Sequence, residues 1–429
     1  MTRGGVQMEI ESRLRSRRAI EALRNGVPNR DAVLSLGCDQ PAVERRFRDL
    51  MGQAKAEGRE GRGVRGFLLR GDFGTGKSHV LEYLRQIALQ EGFVCSKIVV
   101  SKETPLYDPL KLFRSAAEAA AVPGRRGNAV LEIAYGLDFG SEAYGKFRRW
   151  LESEPELEGR FQATLDLFQK VRSDHETAHR IIRFWAGDKL SAGEIRGWLK
   201  SCGESVRGRI RAVSNKELAL QRLRFVPRLM IAAGYAGWIL LLDEVELMGK
   251  YSRLQRARSY ATLGRLLAGG EQKPIAGLTA VGAITPDYEA HVLYGKAEDL
   301  TKIPLFLQGR PAESDLCAAA EQGMRLIREN CLDLRRPDEK LLQETYRRIR
   351  RLYGEAYGWS PPEIPFPAVD SSTRLRQYIK SWITAWDLIR QDPSYAPRIE
   401  TEPVRPIDYT EDPDLARTEE EESPSETDR

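Results

Sequence analysis

Cysteine, histidine and long apolar runs are the scarce features of this 429-residue sequence. Its five cysteines (Cys38, Cys95, Cys202, Cys317 and Cys331) are scattered, odd in number and never spaced Cys-x-x-Cys. That argues against a disulfide framework and a zinc knuckle, and it reads as reduced thiols in a cytoplasmic protein. No stretch approaches the ~18 uninterrupted apolar residues of a membrane-spanning helix, so no membrane association is expected. The opening Met-Thr-Arg-Gly-Gly-Val-Gln-Met-Glu-Ile-Glu lacks the apolar core of an export signal. With 41% hydrophobic and 30% charged residues, the remaining class is a globular protein of two or three domains.

Against that background one stretch stands out, Gly71-Asp-Phe-Gly-Thr-Gly-Lys77-Ser78, which satisfies G-x-x-x-x-G-K-[ST]. An apolar strand, Gly66–Arg70, precedes it, and the helical spacing of Val80, Leu81, Tyr83, Leu84 and Ile87 follows. Glycines let backbone N–H groups approach phosphate oxygens, and the helix N-terminus adds donors and a partial positive charge. The expected phosphate-binding set is therefore Gly71, Asp72, Phe73, Gly74, Thr75, Gly76, Lys77 and Ser78, with His79 next in line. Lys77 would reach the β- and γ-phosphates, and the Ser78 hydroxyl would ligate Mg2+.

Two further strands supply acidic and polar ends. Trp238–Leu242 is apolar on both faces, as in the middle of a parallel sheet, and runs into Asp243 and Glu244. At the carboxyl edge of that strand, Asp243 would hold the metal and Glu244 would activate the attacking water. Leu278–Ile284 ends in Thr285, either a side chain that senses the γ-phosphate or simply the start of the turn at Pro286. Gly92–Ser101 reads as another buried strand, and Ile303–Leu307 as an edge-proximal one because of Pro304.

Residues 8–54 read as helices, with Ile10, Leu14, Ile20 and Leu23 on one stripe. Residues 109–233 also read as helical, too long for an ordinary crossover, and so form an insertion. Within it His175-Glu-Thr-Ala-His179 matches the zinc-protease pattern H-E-x-x-H, with Glu176 polarising water. The sequence holds only four histidines, His291 is the only one downstream, and Arg180 follows the second histidine, so a third ligand is not evident. Residues 312–394 read as wholly helical apart from a proline-rich loop at Trp359–Pro367; Arg347, Arg348, Arg350 and Arg351 make one side basic. From Pro397 onward an acidic tail is expected to be disordered. Residues 400–429 carry 12 acidic and 3 basic side chains, a net of −9, which leaves +14 on residues 1–399. A body so basic either grips nucleic-acid phosphates or merely exposes arginine-rich helices.

Taken together, the P-loop, the strand ending Asp-Glu, a polar strand end and a helical lid with arginines resemble the AAA+ family. More narrowly, the chain resembles the BrxC/BrxD-type ATP-binding proteins of bacterial BREX phage-defence systems, its compact length favouring the BrxD side. The residues that carry this are Ala22-Leu-Arg-Asn-Gly-Val-Pro28, Gly71–Ser78, Val100-Ser-Lys-Glu-Thr-Pro-Leu-Tyr-Asp-Pro109, Gly234-Tyr-Ala-Gly237, Asp243-Glu-Val-Glu246 and Thr373-Arg-Leu-Arg376. The resemblance implies an α/β, AAA+-type P-loop fold with a parallel sheet. It divides the chain into an N-terminal helical segment (1–56), a nucleotide-binding core (57–310, with 109–233 inserted), a helical lid (311–396) and the tail (397–429). It also implies ATP and Mg2+ at Gly71–Ser78 and Asp243, with Glu244 and Lys77 catalytic, Thr285 the first sensor, and Arg374, backed by Arg376, the lid sensor. Double-stranded DNA, other BREX proteins and further copies of the chain are the implied partners. One departure stands out: no arginine lies between Leu267 and Gln308, where an intersubunit finger is often found, leaving Arg256, Arg258 or Arg265. An ATPase switch, a low-turnover scaffold or DNA-binding loader, and a zinc protease are thus the competing readings.

Overall fold

A computed structural model describes residues 3–125, 127–204, 210–268, 273–308, 310, 313–364, 375–397 and 408–412. The chain opens with α1 (Arg3–Asn25), α2 (Arg30–Leu36, capped by Asn29) and α3 (Pro41–Arg59, proline in its first turn). β1 (Phe67–Arg70), α4 (Lys77–Gln90) and β2 (Val94–Val99) follow. Between β2 and β4 lie α5 (Pro109–Glu118), β3 (Ala120–Ala121), α6 (Ala129–Tyr135), α7 (Glu142–Ser153), α8 (Gly159–Val171), α9 (His175–Trp185), α10 (Ala192–Ser201) and α11 (Asn215–Ala232). Then come β4 (Trp238–Asp243), the 3-10 turn Val245–Lys250, α12 (Arg253–Leu267), β5 (Leu278–Ile284), α13 (Asp299–Gln308), α14 (Ser314–Glu329), β6 (Cys331–Asp333), α15 (Glu339–Tyr357) and α16 (Leu375–Gln391).

The six strands form one α/β sheet in the order β3-β2-β4-β5-β1-β6, parallel except for β3. Alternation along each strand divides the core between its two faces. Phe67, Leu69, Cys95, Ile239, Leu241, Val281 and Ala283 pack under α3 and α4. Leu68, Val94, Ile98, Leu240, Leu242, Ala280 and Ile284 pack against the helices of the other face. β4 and β5 are buried along their whole length, so they carry apolar residues or glycine at every position but Asp243 and Thr279. Because Asp243 shares the parity of Ile239 and Leu241, it lies on the face of α4.

Several expectations from sequence are corrected. Ile303–Leu307 is not a strand; it lies inside α13, with Pro304 in the helix. Ile303 and Leu307, four apart, are buried while Leu305 is exposed, which is helical spacing that a five-residue apolar run does not distinguish from a strand. Two strands were missed: β3 inside the helical insertion and β6 inside the stretch read as wholly helical, each three residues or fewer. Ile20 and Leu23 of α1 are buried, but Ile10 and Leu14 are exposed. The N-terminal helices and the last helices, read as separate units, share one core in which Ile20, Leu23 and Leu36 meet Ile349, Tyr353, Trp382 and Trp386. α3 instead belongs to the core of the sheet. Asp408–Asp412, within the stretch expected to be disordered, lie against the body through Tyr409, Glu411 and Asp412.

A buried ion pair fastens α12 to α13. Arg256 (2% exposed) donates from Nε and Nη2 to the two oxygens of Asp299 (0% exposed) at 2.8 and 2.9 Å. Tyr260 also donates to Asp299, at 2.7 Å, and Arg256 Nη1 donates to the Tyr251 carbonyl at 2.6 Å. Removing Asp299 leaves the buried Arg256 charge only the exposed Glu411 as an ionic partner among the described residues. Asp299→Ala is therefore expected to lower stability by about 3–5 kcal/mol, read as a shifted denaturation midpoint at constant slope.

Candidate functional site

The loop after β1 turns through Gly74 and Gly76 at φ of +80° and +100°, conformations barred to side-chain-bearing residues. It delivers the chain into α4, whose N-cap is Gly76. No side chain caps that helix, and no acidic residue lies in its first turn. α2, α5, α6, α7, α8, α9, α10, α11, α12 and α15 all carry side-chain caps. α4 thus leaves its orphan N–H groups and dipole open to an anion at the cleft. The Lys77 ammonium lies back on its own loop, donating to the carbonyls of Gly71 (2.9 Å) and Asp72 (3.4 Å).

Facing the loop are the carboxylates beyond β4. Asp243 is buried and accepts the Glu244 N–H at 3.1 Å. Glu244 sits in the left-handed region (φ +57°, ψ +39°), strain that costs about 1–3 kcal/mol and clusters at functional sites. Burial, and then the Asp243 charge, push its carboxyl above the usual range, while Lys77, Arg376 and Lys97 pull the other way. Glu246, which the sequence reading did not place in the site, is 2% exposed. Its Oε1 is 3.5 Å from Lys77 Nζ, and its Oε2 has no hydrogen-bond partner among the described residues. Burial pushes its carboxyl up to about 7. Lys97 is the other residue missed. It stands on the α4 face of β2, donating to the Ser78 carbonyl (3.0 Å) and lying 3.6 Å from Asp243 Oδ2.

Gly74–Ser78 and the three carboxylates line one end of a cleft whose other walls come from the first and last helices. Leu23, Pro28, Leu36, Leu341 and Ile379 make that side apolar, and Arg335, Arg348 and Arg376 bring positive charge to its rim. The Arg376 guanidinium lies 6.0 Å from the centroid of the half-exposed Phe73 ring at the loop tip. Phosphate-sized polar donors at one end and an apolar slot at the other suit a nucleotide-like ligand.

The remaining expected residues divide. Thr75 lines the cleft and donates to the Asp72 carbonyl (2.8 Å), while the Asp72 carboxylate pairs with Arg336 at 2.8 Å. His79 also lines it, but its Nε2 meets the Gly37 carbonyl at 2.6 Å, and burial lowers its pKa. Gly71 is anchored by its N–H to the Ile284 carbonyl (3.2 Å). Thr285, one residue further on, is 2% exposed, does not line the cleft, and shares a 3.0 Å hydrogen bond with the Tyr409 hydroxyl. Arg374 lies outside the described residues; Arg376 reaches the cleft. Of the arginine-finger candidates, Arg256 is buried against Asp299 and Arg258 lies 3.7 Å from Glu313; Arg265 is exposed, in a different cleft with Lys273. His175 and His179 are adjacent on α9, with ring centroids 6.4 Å apart, yet Arg180 pairs with Glu194. No group of three or more His, Cys, Asp or Glu is placed to hold a metal among the described residues.

The family model of the BREX system ATP-binding proteins BrxC/D matches residues 11–135 and 153–399. The chain belongs to this family. The matched stretches of this BrxC/D chain include the glycine loop, the acidic end of β4 and Leu23, Leu36, Leu341 and Ile379 of the apolar wall. No curated protein matches the chain. No described helix is long and apolar enough to cross a membrane.

Proposed function

We propose that this BrxC/D protein is an AAA+-type ATPase switch of anti-phage defence, binding ATP in the cleft between the sheet and the shared helical unit. One observation carries the reading: the uncapped start of α4, Lys77 and three carboxylates converge on a cleft whose opposite wall is apolar and arginine-rimmed. In this reading the backbone N–H groups from Gly71 to Ser78 and the Lys77 ammonium take the phosphates. The Ser78 hydroxyl and Asp243 form an all-oxygen donor set that suits Mg2+, which would neutralise developing charge on the phosphates. Glu244 orients and deprotonates the attacking water. Arg376, with Arg348 beside it, answers the nucleotide from the helical side, so that opening and closing of this unit reports on the ligand. β5 lies between β1 and β4, so the end that carries Thr285 is flanked by the glycine loop and the Asp-Glu pair, which supports this reading.

A second reading is favoured by a particular finding. Arg256, the first finger candidate, is sequestered, so a scaffold or loader-like protein with little turnover of its own fits the site as well. DNA, other defence proteins or further copies of the chain would then be what it holds. Phosphate release by the full chain, measured with Mg2+ or with chelator and with or without duplex DNA, separates the two. Mg2+-dependent release that rises with DNA supports the switch; ATP binding without release supports the scaffold. If the basic body grips DNA phosphates, its affinity must fall with salt at a log–log slope of about −0.9 per phosphate neutralised, and a flat profile rejects DNA as the partner.

A further inference from the structure

We infer that the groove between the turn Val245–Lys250 and the outer end of β5 is a docking site for the chain's own Asp408–Asp412, which latches the turn that carries Glu246. The family match ends at residue 399 and so leaves this segment aside. Three separate contacts hold it. The Tyr409 ring stands edge-on to Tyr288 with centroids 5.7 Å apart and lies 6.0 Å from the ring of His291, and its hydroxyl is 3.0 Å from Thr285 Oγ1. Glu411 accepts from Arg256 Nη1 at 2.8 Å. The Asp412 N–H donates to the Lys250 carbonyl at 3.0 Å.

The groove is shaped for this occupant. A Cβ built on Gly249 would lie 2.7 Å from Tyr409 Cδ1 and 3.1 Å from both Tyr288 Cε2 and Val292 Cγ2, so a side chain at that position would close the slot the ring fills. The charges match as well. Glu411 takes a bond from Arg256 Nη1, which also donates to the Tyr251 carbonyl, while Nε and Nη2 are turned to Asp299. The Asp408 carboxyl is held below its usual range by its bonds to Thr410 and, more weakly, by Lys250 and Lys296. An acidic segment with one aromatic ring is thus the chemistry this groove selects, and residues 400–429, at a net −9, are the acidic part of an otherwise basic chain.

Both walls of the groove are residues that leave the ends of β4 and β5. One side of the six-residue turn holds Glu246 3.5 Å from Lys77, and the other holds Gly249 and Lys250 against the latch. Bracing the turn keeps Glu246 on the ammonium that a phosphate needs. Releasing the latch lets that carboxylate withdraw and tightens nucleotide binding; this last step rests on the ATP-site reading above. By linkage, the coupling is the same in both directions.

Hydrogen–deuterium exchange on the full chain tests the docking. In the native chain the Asp412 amide, bonded to the Lys250 carbonyl, exchanges slowly, and Tyr409→Ala and Glu411→Gln each speed it at least tenfold. Equally fast exchange in all three proteins overturns the docking site. ATP titration of the same proteins tests the coupling, with both variants expected to bind several-fold more tightly than the native chain. Released segments with unchanged affinity overturn the coupling. If the native chain binds no ATP at all, the nucleotide reading fails while the exchange result still decides the docking.

Discussion

Lys77→Ala loses ATP binding by about two to four powers of ten. The ammonium would make two charge-assisted hydrogen bonds to phosphate oxygens, each contributing about 1.5–3 kcal/mol, and each 1.4 kcal/mol is a tenfold change in affinity. The structure adds a second cost. Lys77 is the nearby cation that holds the Glu246 carboxyl down against burial, and the second Glu246 oxygen is already unpartnered among the described residues. Removing Lys77 therefore leaves a buried acid that either takes up a proton or faces the incoming phosphates charged. Repulsion across a poorly solvated cleft is stronger than in water. The double variant Lys77→Ala/Glu246→Gln should therefore recover part of the loss, because the amide carries no charge. Isothermal titration of ATP into the three proteins checks both statements. Native-like binding in Lys77→Ala would end the assignment of this loop to the phosphates, and equal losses in the single and double variants would remove Glu246 from the account.

The parts of this site that were legible in the sequence are those whose requirements are local. A loop that needs positive φ writes itself in glycine, as at Gly74 and Gly76, and a buried central strand writes itself as an unbroken apolar run, as at Trp238–Leu242. Asp243 and Glu244 could then be placed at a strand end without any knowledge of the neighbours. Glu246 and Lys97 were not legible because their roles depend on where other segments fall. Glu246 enters the cleft only because the chain after β4 curls into a 3-10 turn, and Lys97 reaches the Ser78 carbonyl and Asp243 because its parity on β2 points it at α4. The repeated acid in Asp243-Glu-Val-Glu246 was the one available signal for the former. Pairing between the chain's two ends was equally hidden. Nothing in α1 or α2 says that Leu36 packs with Trp382, or that an arginine of α15 reaches the glycine loop's cleft. The tail's composition indicated disorder, not the contact that seats the Tyr409 ring against Tyr288.

Glu244→Gln should keep ATP affinity within about threefold and lower turnover by about two to four powers of ten, the range that general-base catalysis contributes. The argument turns on what the substitution leaves alone. Glutamine has the shape of glutamate, and its backbone meets the same left-handed strain at φ +57°, so the turn that follows should stay in place. The Asp243 carboxylate and its bond to the Glu244 N–H are untouched, and so are Lys77 and the open start of α4. Ground-state binding therefore persists. What disappears is the acceptor for a proton from water, since an amide cannot take one at neutral pH. The half-buried setting sharpens the contrast, because burial and the neighbouring Asp243 raise the basicity of this carboxylate above that of an exposed one. Removing one negative charge beside the phosphates would, if anything, tighten binding slightly. Single-turnover phosphate release at saturating ATP separates the chemical step from product release. Undiminished single-turnover rates in this variant would move the base elsewhere in the cleft, with Glu246 the next carboxylate to test.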